Sequence, residues 1–458
     1  MSTTTRYQCT ECGSTAAKWV GRCGQCQAWG TVEEVGAPAA GVRGPAALAP
    51  STPAQPIDQV DAETARARPT GVGELDRVLG GGIVPGAVVL MAGEPGVGKS
   101  TLLLDVAART ADVARGPVLY VTGEESASQV RLRAERIGAL RPNLLLAAET
   151  DLATVLGHIE QARPTLVVVD SVQTISASTV DGSAGGVSQV REVASALIAV
   201  AKRTATPVIL VGHVTKDGSI AGPRVLEHLV DVVCQFEGDR HSRLRMVRAT
   251  KNRHGATDEV GCFDLSDAGI VGLADPSGLF LSGSLTQVPG TCVTITLEGR
   301  RPMPTEIQAL VTPSTLSNPR RMTSGLDSAR VAMTLAVLQS RLGLTLGGQD
   351  TYVSTVGGAR AQEPAVDLAV ALAVASAARQ RSLAEGVVAV GEVGLTGDVR
   401  STVGIQRRLA EAARLGFRRV LVPQGGAKEL RPVGDLEIWP VADVVEALAA
   451  AGTVPARG

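Results

Sequence analysis

The strongest constraint on what this chain can fold into is the run Gly93-Glu94-Pro95-Gly96-Val97-Gly98-Lys99-Ser100, followed by Thr101. It sits between an apolar stretch, VVLMA, and a helix-like one, LLLDVAART. A GxxxxGK[ST] loop between a buried strand and a helix is a phosphate cradle. Its glycines let successive backbone N–H groups curl around a phosphate, and the helix N-terminus adds a favourable dipole. Residues Gly93 to Thr101 are therefore expected to bind ATP. Lys99 is expected to reach the β- and γ-phosphates, and the Ser100 hydroxyl to ligate Mg²⁺.

The surrounding pattern supplies the rest of such a site. From about Thr70 to Leu273 the runs VVLMAG, VLYVTG, LVVVD, PVILVGH, LVDVVCQF and LRMVRAT alternate with amphipathic stretches. Short apolar runs of this kind read as buried parallel strands joined by crossover helices, an α/β fold with a mostly parallel, doubly wound sheet. LVVVD ends in Asp170, placed to hold Mg²⁺ from a strand tip, with a helix-capping Asp before Ser171 as the alternative. VLYVTG ends in Glu124-Glu125, and hydrolysis needs a carboxylate that orients the attacking water. Glu124 is preferred over Glu125 for that role.

Four of the seven cysteines form Cys9-x-x-Cys12, ten residues, then Cys23-x-x-Cys26. Two such knuckles supply a closed four-sulfur cage for a structural Zn²⁺, and a redox dithiol pair is the alternative. Four segments follow: a zinc ribbon over residues 7–35, an Ala/Pro/Gly-rich linker over 36–57, the nucleotide-binding core over 58–275, and a second α/β domain over 285–458. Hydrophobic residues at 44% against 19% charged argue for folded domains, while 2% aromatics leave Ala, Val, Leu and Ile to build the cores. A net charge of −1 provides no global basic field, so any nucleic-acid contact has to come from local patches. No signal peptide pattern appears, and no apolar run reaches the ~18–20 residues of a membrane span, so a cytoplasmic location without membrane contact is expected.

The zinc cluster, GEPGVGKST, VTGEES, LVVVDSVQT, GHVTKDGSIAGPRVLEHLVD and KNRHG together resemble the bacterial RadA (Sms) DNA repair family, essentially from Tyr7 into the C-terminal domain. The resemblance implies a RecA-like P-loop core with an N-terminal zinc ribbon and a Lon-protease-like C-terminal domain. It further implies a DNA-dependent ATPase, working as a hexameric ring and as a motor of the branch-migration or helicase type, in homologous recombination and repair. Its implied partners are single-stranded DNA, branched recombination intermediates and a RecA-type recombinase. A KaiC-like regulatory ATPase that controls protein assembly without DNA is the competing expectation.

The family's KNRFG motif stands here as Lys251-Asn252-Arg253-His254-Gly255. Arg240, Arg243, Arg245, Arg248, Lys251 and Arg253 form an acid-free basic run. In a ring, Lys251 and Arg253 would stabilise a neighbour's γ-phosphate as an arginine finger does; a solvated, phosphate-binding strand edge is the alternative. Two Gly-rich stretches, 176–189 and 215–224, resemble DNA-binding loops, with Lys216 and Arg224 as phosphate contacts, or are ordinary surface loops. His213 resembles a γ-phosphate sensor or is a core histidine, and Gln173 is a further nucleotide-sensing candidate. In the C-terminal domain, Ala365 and Gln406 fall where Lon-type proteases carry Ser and Lys, which excludes acyl chemistry there. Arg400, Arg407, Arg408, Arg414, Arg418 and Arg419 form either a DNA-facing surface or the charged face of packed helices.

Overall fold

The structure, a computed structural model, describes residues 6–35, 56–114, 116–213, 223–238, 243–266, 269–281 and 288–455. The chain divides into two compact units between Asp61 and Ala62. In the first, Arg6–Cys9 pairs antiparallel with both Thr15–Ala16 and Val32–Val35. Among its described residues the apolar interior is Cys9, Cys23 and Val32 with Tyr7 packed against them. So small a core cannot fold a segment alone, and metal binding has to contribute the difference.

Among the described residues the second unit holds two large sheets and two two-stranded ones. The first has nine strands in the order Gly269–Gly272, Val260–Ser266, Leu244–Asn252, Val232–Gly238, Val88–Gly93, Val208–His213, Leu166–Asp170, Val118–Thr122, Leu144–Ala148. From Val232–Gly238 onward the pairings are parallel. The expectation that LRMVRAT joins the parallel series is corrected: Leu244–Asn252 runs antiparallel to Val232–Gly238. The five residues between them are too few for the crossover that a parallel pairing would need. Strand Val88–Gly93 is buried throughout, with Val89 and Met91 packing on one face and Val88, Leu90 and Ala92 on the other. That two-sided burial is why these strands read as unbroken apolar runs. Helix Lys99–Val113 covers the first face through Leu102, Leu103 and Val106, and helix Val187–Thr204 covers the second through Val190, Val193 and Leu197.

The second sheet has seven strands in the order Arg321–Ser324, Gln349–Thr355, Arg301–Pro313, Thr291–Glu298, Val387–Ala389, Arg419–Pro423, Glu437–Val441. The Ala-rich helix Asp367–Arg379 is buried from Asp367 to Ala377, small residues on every side letting neighbours approach closely. Contacts between the two sheets' elements are ionic as well as apolar. Arg248 donates to Glu298 at 2.8 Å, Arg414 to Asp275 at 2.7 Å, and Arg300 lies 3.0 Å from Asp258. Arg301 reaches from the second sheet to Glu74 on helix Gly73–Leu79 of the first. Among the described residues no helix is long and apolar enough to cross a membrane.

Candidate nucleotide site and metal centre

Strand Val88–Gly93 delivers the loop to the sheet edge, and Gly96 and Gly98 turn it with φ of +79° and +110°. An L side chain is strained at such angles, so the chain needs glycine here. Helix Lys99–Val113 begins at Lys99, whose Nζ donates to the carbonyls of Gly93 and Glu94 at 2.8 Å each. Lys99 is 3% exposed. Burial lowers its amine pKa to about 8, with Asp170 and Glu124 pulling in the opposite direction. A phosphate placed beside the ammonium favours the charged form, so nucleotide binding raises that pKa again. At pH 8, ATP binding is therefore expected to take up roughly half a proton per site, falling toward zero by pH 6.5. Binding enthalpies in buffers of different ionisation heat measure this, and Lys99→Arg removes it.

Parallel register brings the acids to the same edge, with Gly93 opposite His213 and Thr122 opposite Asp170. The Tyr120 hydroxyl donates to Asp170 at 2.7 Å. Glu124 Oε1 accepts from the Ser171 hydroxyl at 2.6 Å and lies 2.9 Å from His213 Nε2. Glu125 turns away and pairs with Arg133 of helix Ala127–Arg136. Gly123 allows this crowding, since a Cβ there would stand 2.1 Å from Thr174 Oγ1. Gln173 Nε2 donates to the His213 carbonyl at 3.4 Å, while Gln173 Oε1 and His213 Nδ1 are buried without a partner among the described residues. A lysine, a serine hydroxyl and two carboxylates at the mouth of a glycine loop form a donor set suited to a magnesium triphosphate.

Sequence reasoning missed Arg245 as part of this site. Its guanidinium is buried and donates through Nε to the loop carbonyl of Val97 at 3.0 Å. Gly238 makes room: a Cβ there would lie 2.2 Å from Arg245 Cδ. The available signal was an Arg at an inward position of the alternating LRMVRAT strand. The uniform basic edge is corrected too, because most of these cations are internally paired. Arg243 pairs with Asp264, Arg248 with Glu298, and Lys251 Nζ donates to the carbonyls of Glu227 and Val230 at 2.6 and 2.8 Å. Arg253 remains 58% exposed, 3.9 Å from Asp231. Its backbone N–H bonds the Asp231 carbonyl, and Asp231 N–H bonds that of Val88. Arg253 therefore sits at the Val88 end of the strand that ends in Gly93, roughly 16 Å from its own loop. His254 is exposed, so an aromatic is not required there for packing. Arg240 and Lys216 lie outside the described residues, as does the side chain of Arg224.

In the C-terminal domain Ala365 is buried, and the Gln406 amide exchanges hydrogen bonds of 2.9 and 3.1 Å with the backbone of Arg431. The DNA-facing alternative is corrected for Arg408. It is fully buried, bidentate to Glu363 at 2.7 Å twice, and also bonded to the Ile295 and Val403 carbonyls. Arg400 and Arg414 are paired with Asp398 and Asp275, and Arg419 lies over Trp439 at 3.7 Å. Arg407 and Arg418 are exposed.

The four ribbon cysteines place their Sγ atoms within 4.8 Å of one another, with Cys9–Cys26 and Cys12–Cys23 each 3.6 Å apart. Zn–S bonds of about 2.3 Å in a tetrahedron require sulfurs roughly 3.8 Å apart, so the cage fits Zn²⁺. The Ser14 hydroxyl, aided by backbone N–H groups of the knuckle, pulls the Cys23 thiol down to about 5, which favours the thiolate that a metal needs.

The family described as AAA domain matches residues 51–219, the rubredoxin metal binding domain residues 7–34, and subunit ChlI of Mg-chelatase residues 356–426. The chain is 57% identical to the DNA repair protein RadA of Mycolicibacterium smegmatis, over 92% of this chain and 91% of that protein. It is 46% identical to the DNA repair protein RadA of Pseudomonas aeruginosa (96% and 97% covered) and 42% identical to that of Bacillus subtilis (97% and 98%). A KaiC-like protein from Pyrococcus horikoshii aligns with 46% of this chain and 99% of its own, at 20% identity and a TM-score of 0.39.

Proposed function

This chain belongs to the RadA family of DNA repair proteins, and from that premise we propose that it is an ATP-driven motor that extends recombination intermediates along DNA. The observation that carries the catalytic part is the Glu124–Ser171–His213 cluster beside a buried lysine and a glycine loop. In this reading the loop Gly93–Thr101 holds the triphosphate, and Lys99 neutralises it. Ser100 and Asp170 would hold Mg²⁺, which would supply charge neutralisation to the triphosphate. Glu124 accepts a proton from the attacking water. His213, hydrogen-bonded to Glu124, links the state of the γ-phosphate to strand Val208–His213. Arg245 fixes the loop through Val97.

Arg253 lies too far from its own loop to act there, which supports a trans role in a ring of six copies. Lys251, tied to two carbonyls of its own protomer, supports the segment from which Arg253 projects. Arg253→Ala is expected to leave ATP affinity within about twofold and to lower steady-state hydrolysis at least tenfold. Adding it to wild-type protein is expected to poison mixed rings more steeply than its mole fraction. A linear decline would place Arg253 outside the neighbour's site.

The motor itself is tested with a preformed three-strand DNA joint, purified protein, and ATP or a nonhydrolysable analogue. Extension with ATP alone is the expected result. Tight DNA binding with no extension, with or without added recombinase, would leave a DNA clamp in place of a motor. Hydrolysis indifferent to DNA would point to the regulatory ATPase. In the C-terminal domain, Ala365 and Gln406 supply neither nucleophile nor base, and the proposed role is to scaffold the ring.

A further inference from the structure

Two of the three tryptophans are on the zinc ribbon, and both stand in water: Trp19 is 64% and Trp29 74% exposed. The ribbon's own core uses neither. The two rings are brought together over Gly21. A Cβ at Gly21 would lie 3.8 Å from Trp19 Cη2 and 3.9 Å from Trp29 Cζ3, so both indoles border the space left by the missing side chain at van der Waals distance. The arrangement is braced. Gly30 N–H donates to the Gly21 carbonyl at 2.9 Å, Arg22 and Trp29 form a β-bridge, and Arg22 Nε donates to the Gln27 carbonyl at 3.0 Å. The turn between the two sides of this bridge is the Cys23–Cys26 knuckle, so the metal cage positions the slot.

The charges nearest to it along the chain have one sign. The Arg22 guanidinium lies 5.7 Å from the Trp29 ring centroid, Lys18 is exposed beside Trp19, and no carboxylate occurs between Glu11 and Glu33. Paired aromatics flanked by cations match the recognition of unpaired nucleotides, in which flat bases stack and neighbouring phosphates take the cations. An apolar side chain of a protein partner would use the indoles and leave the cations without a role.

We propose that the slot over Gly21, between Trp19 and Trp29, takes one unpaired base of single-stranded DNA, with Lys18 and Arg22 meeting the adjacent phosphates. The ribbon is then a second DNA contact, separate from the ATPase, and it holds whether or not the ATPase moves along DNA.

The test is tryptophan fluorescence of the full-length, zinc-loaded protein titrated with oligothymidylate or with an abasic deoxyribose-phosphate oligomer of equal length. Oligothymidylate is expected to quench most of the ribbon emission and the abasic oligomer little of it. Gly21→Leu fills the slot and is expected to remove the base-dependent quenching and weaken this contact roughly tenfold, with zinc content unchanged. If Gly21→Leu loses zinc, Trp29→Ala and Trp29→Phe decide: Ala loses the base-dependent quenching and Phe keeps it. Equal quenching by both oligomers, no quenching by either, or quenching that survives Gly21→Leu or Trp29→Ala with zinc intact would overturn the proposal. Absence of quenching would return the indoles to a protein-docking role.

Discussion

Glu124→Gln is expected to leave ATP bound while single-turnover hydrolysis falls by about a hundred- to ten-thousandfold, the range spanned by a positioned general base. The substitution is nearly isosteric. The Gln carbonyl oxygen still accepts from Ser171, which stands 2.6 Å from Glu124 Oε1, and His213 remains within reach. What is lost is the negative charge that takes the proton from water. Glu125→Gln supplies the control. Its carboxylate is occupied by Arg133, so hydrolysis should change no more than a few-fold. Filter binding of labelled ATP separates the two effects. Equal losses in both variants, or loss of ATP binding in Glu124→Gln alone, would remove Glu124 from the base position.

The largest effect on stability is expected at Arg301. Its side chain is 6% exposed, and its guanidinium pairs with Glu74. It also donates to the carbonyls of Val260, Leu273 and Ala274 at 3.0, 2.8 and 2.9 Å. Glu74 in turn accepts from the Cys262 N–H at 2.9 Å. One guanidinium thus joins a strand of the second sheet to a helix and two segments of the first. Arg301→Ala leaves a buried carboxylate and three carbonyls short of a donor, and a cost of about 3–5 kcal/mol is expected. Arg301→Lys should recover only part, because an ammonium cannot match a planar fork of five donors. Replacing both partners, Arg301→Met with Glu74→Leu, removes the buried charges together and should restore part of the loss, since the Cys262 N–H and the three carbonyls still lose these partners. Urea unfolding of the four proteins measures the series. A loss under 1 kcal/mol in Arg301→Ala would show that the two sheets do not depend on this contact.

How much of the site was legible follows the sequence distance between its parts. The glycine loop and the two CxxC knuckles are local: nine and four residues respectively carry the whole constraint, because backbone N–H groups and thiolates act where the chain itself turns. The strand tips were legible for a related reason, since a strand buried on both faces carries no charge until it emerges, and the first charged residue, Asp170 or Glu124, marks the edge. The antiparallel direction of Leu244–Asn252 was legible only through the small number of residues that separate it from Val232–Gly238, a weaker signal than its apolar content.

The cations show where reading along the chain fails. Arg245, Arg301 and Arg408 look like surface charge, yet each is buried against acceptors far away in sequence. Arg245 meets Val97 across 148 positions, Arg301 meets Glu74 across 227, and Arg408 meets Glu363 across 45. A guanidinium is buried only where several acceptors converge, and convergence depends on which strands become neighbours. The same holds for the surroundings of Glu124 and Glu125, adjacent identical residues of which one meets Ser171 and His213 and the other Arg133. The sequence by itself determined the ligand classes and the strand–loop–helix unit that carries them, because those follow from contacts within one turn of chain. Partner choice, burial of charge and the opposite placement of Gly93 and Arg253 were decided by the tertiary structure, because sheet order sets them and no local segment contains it.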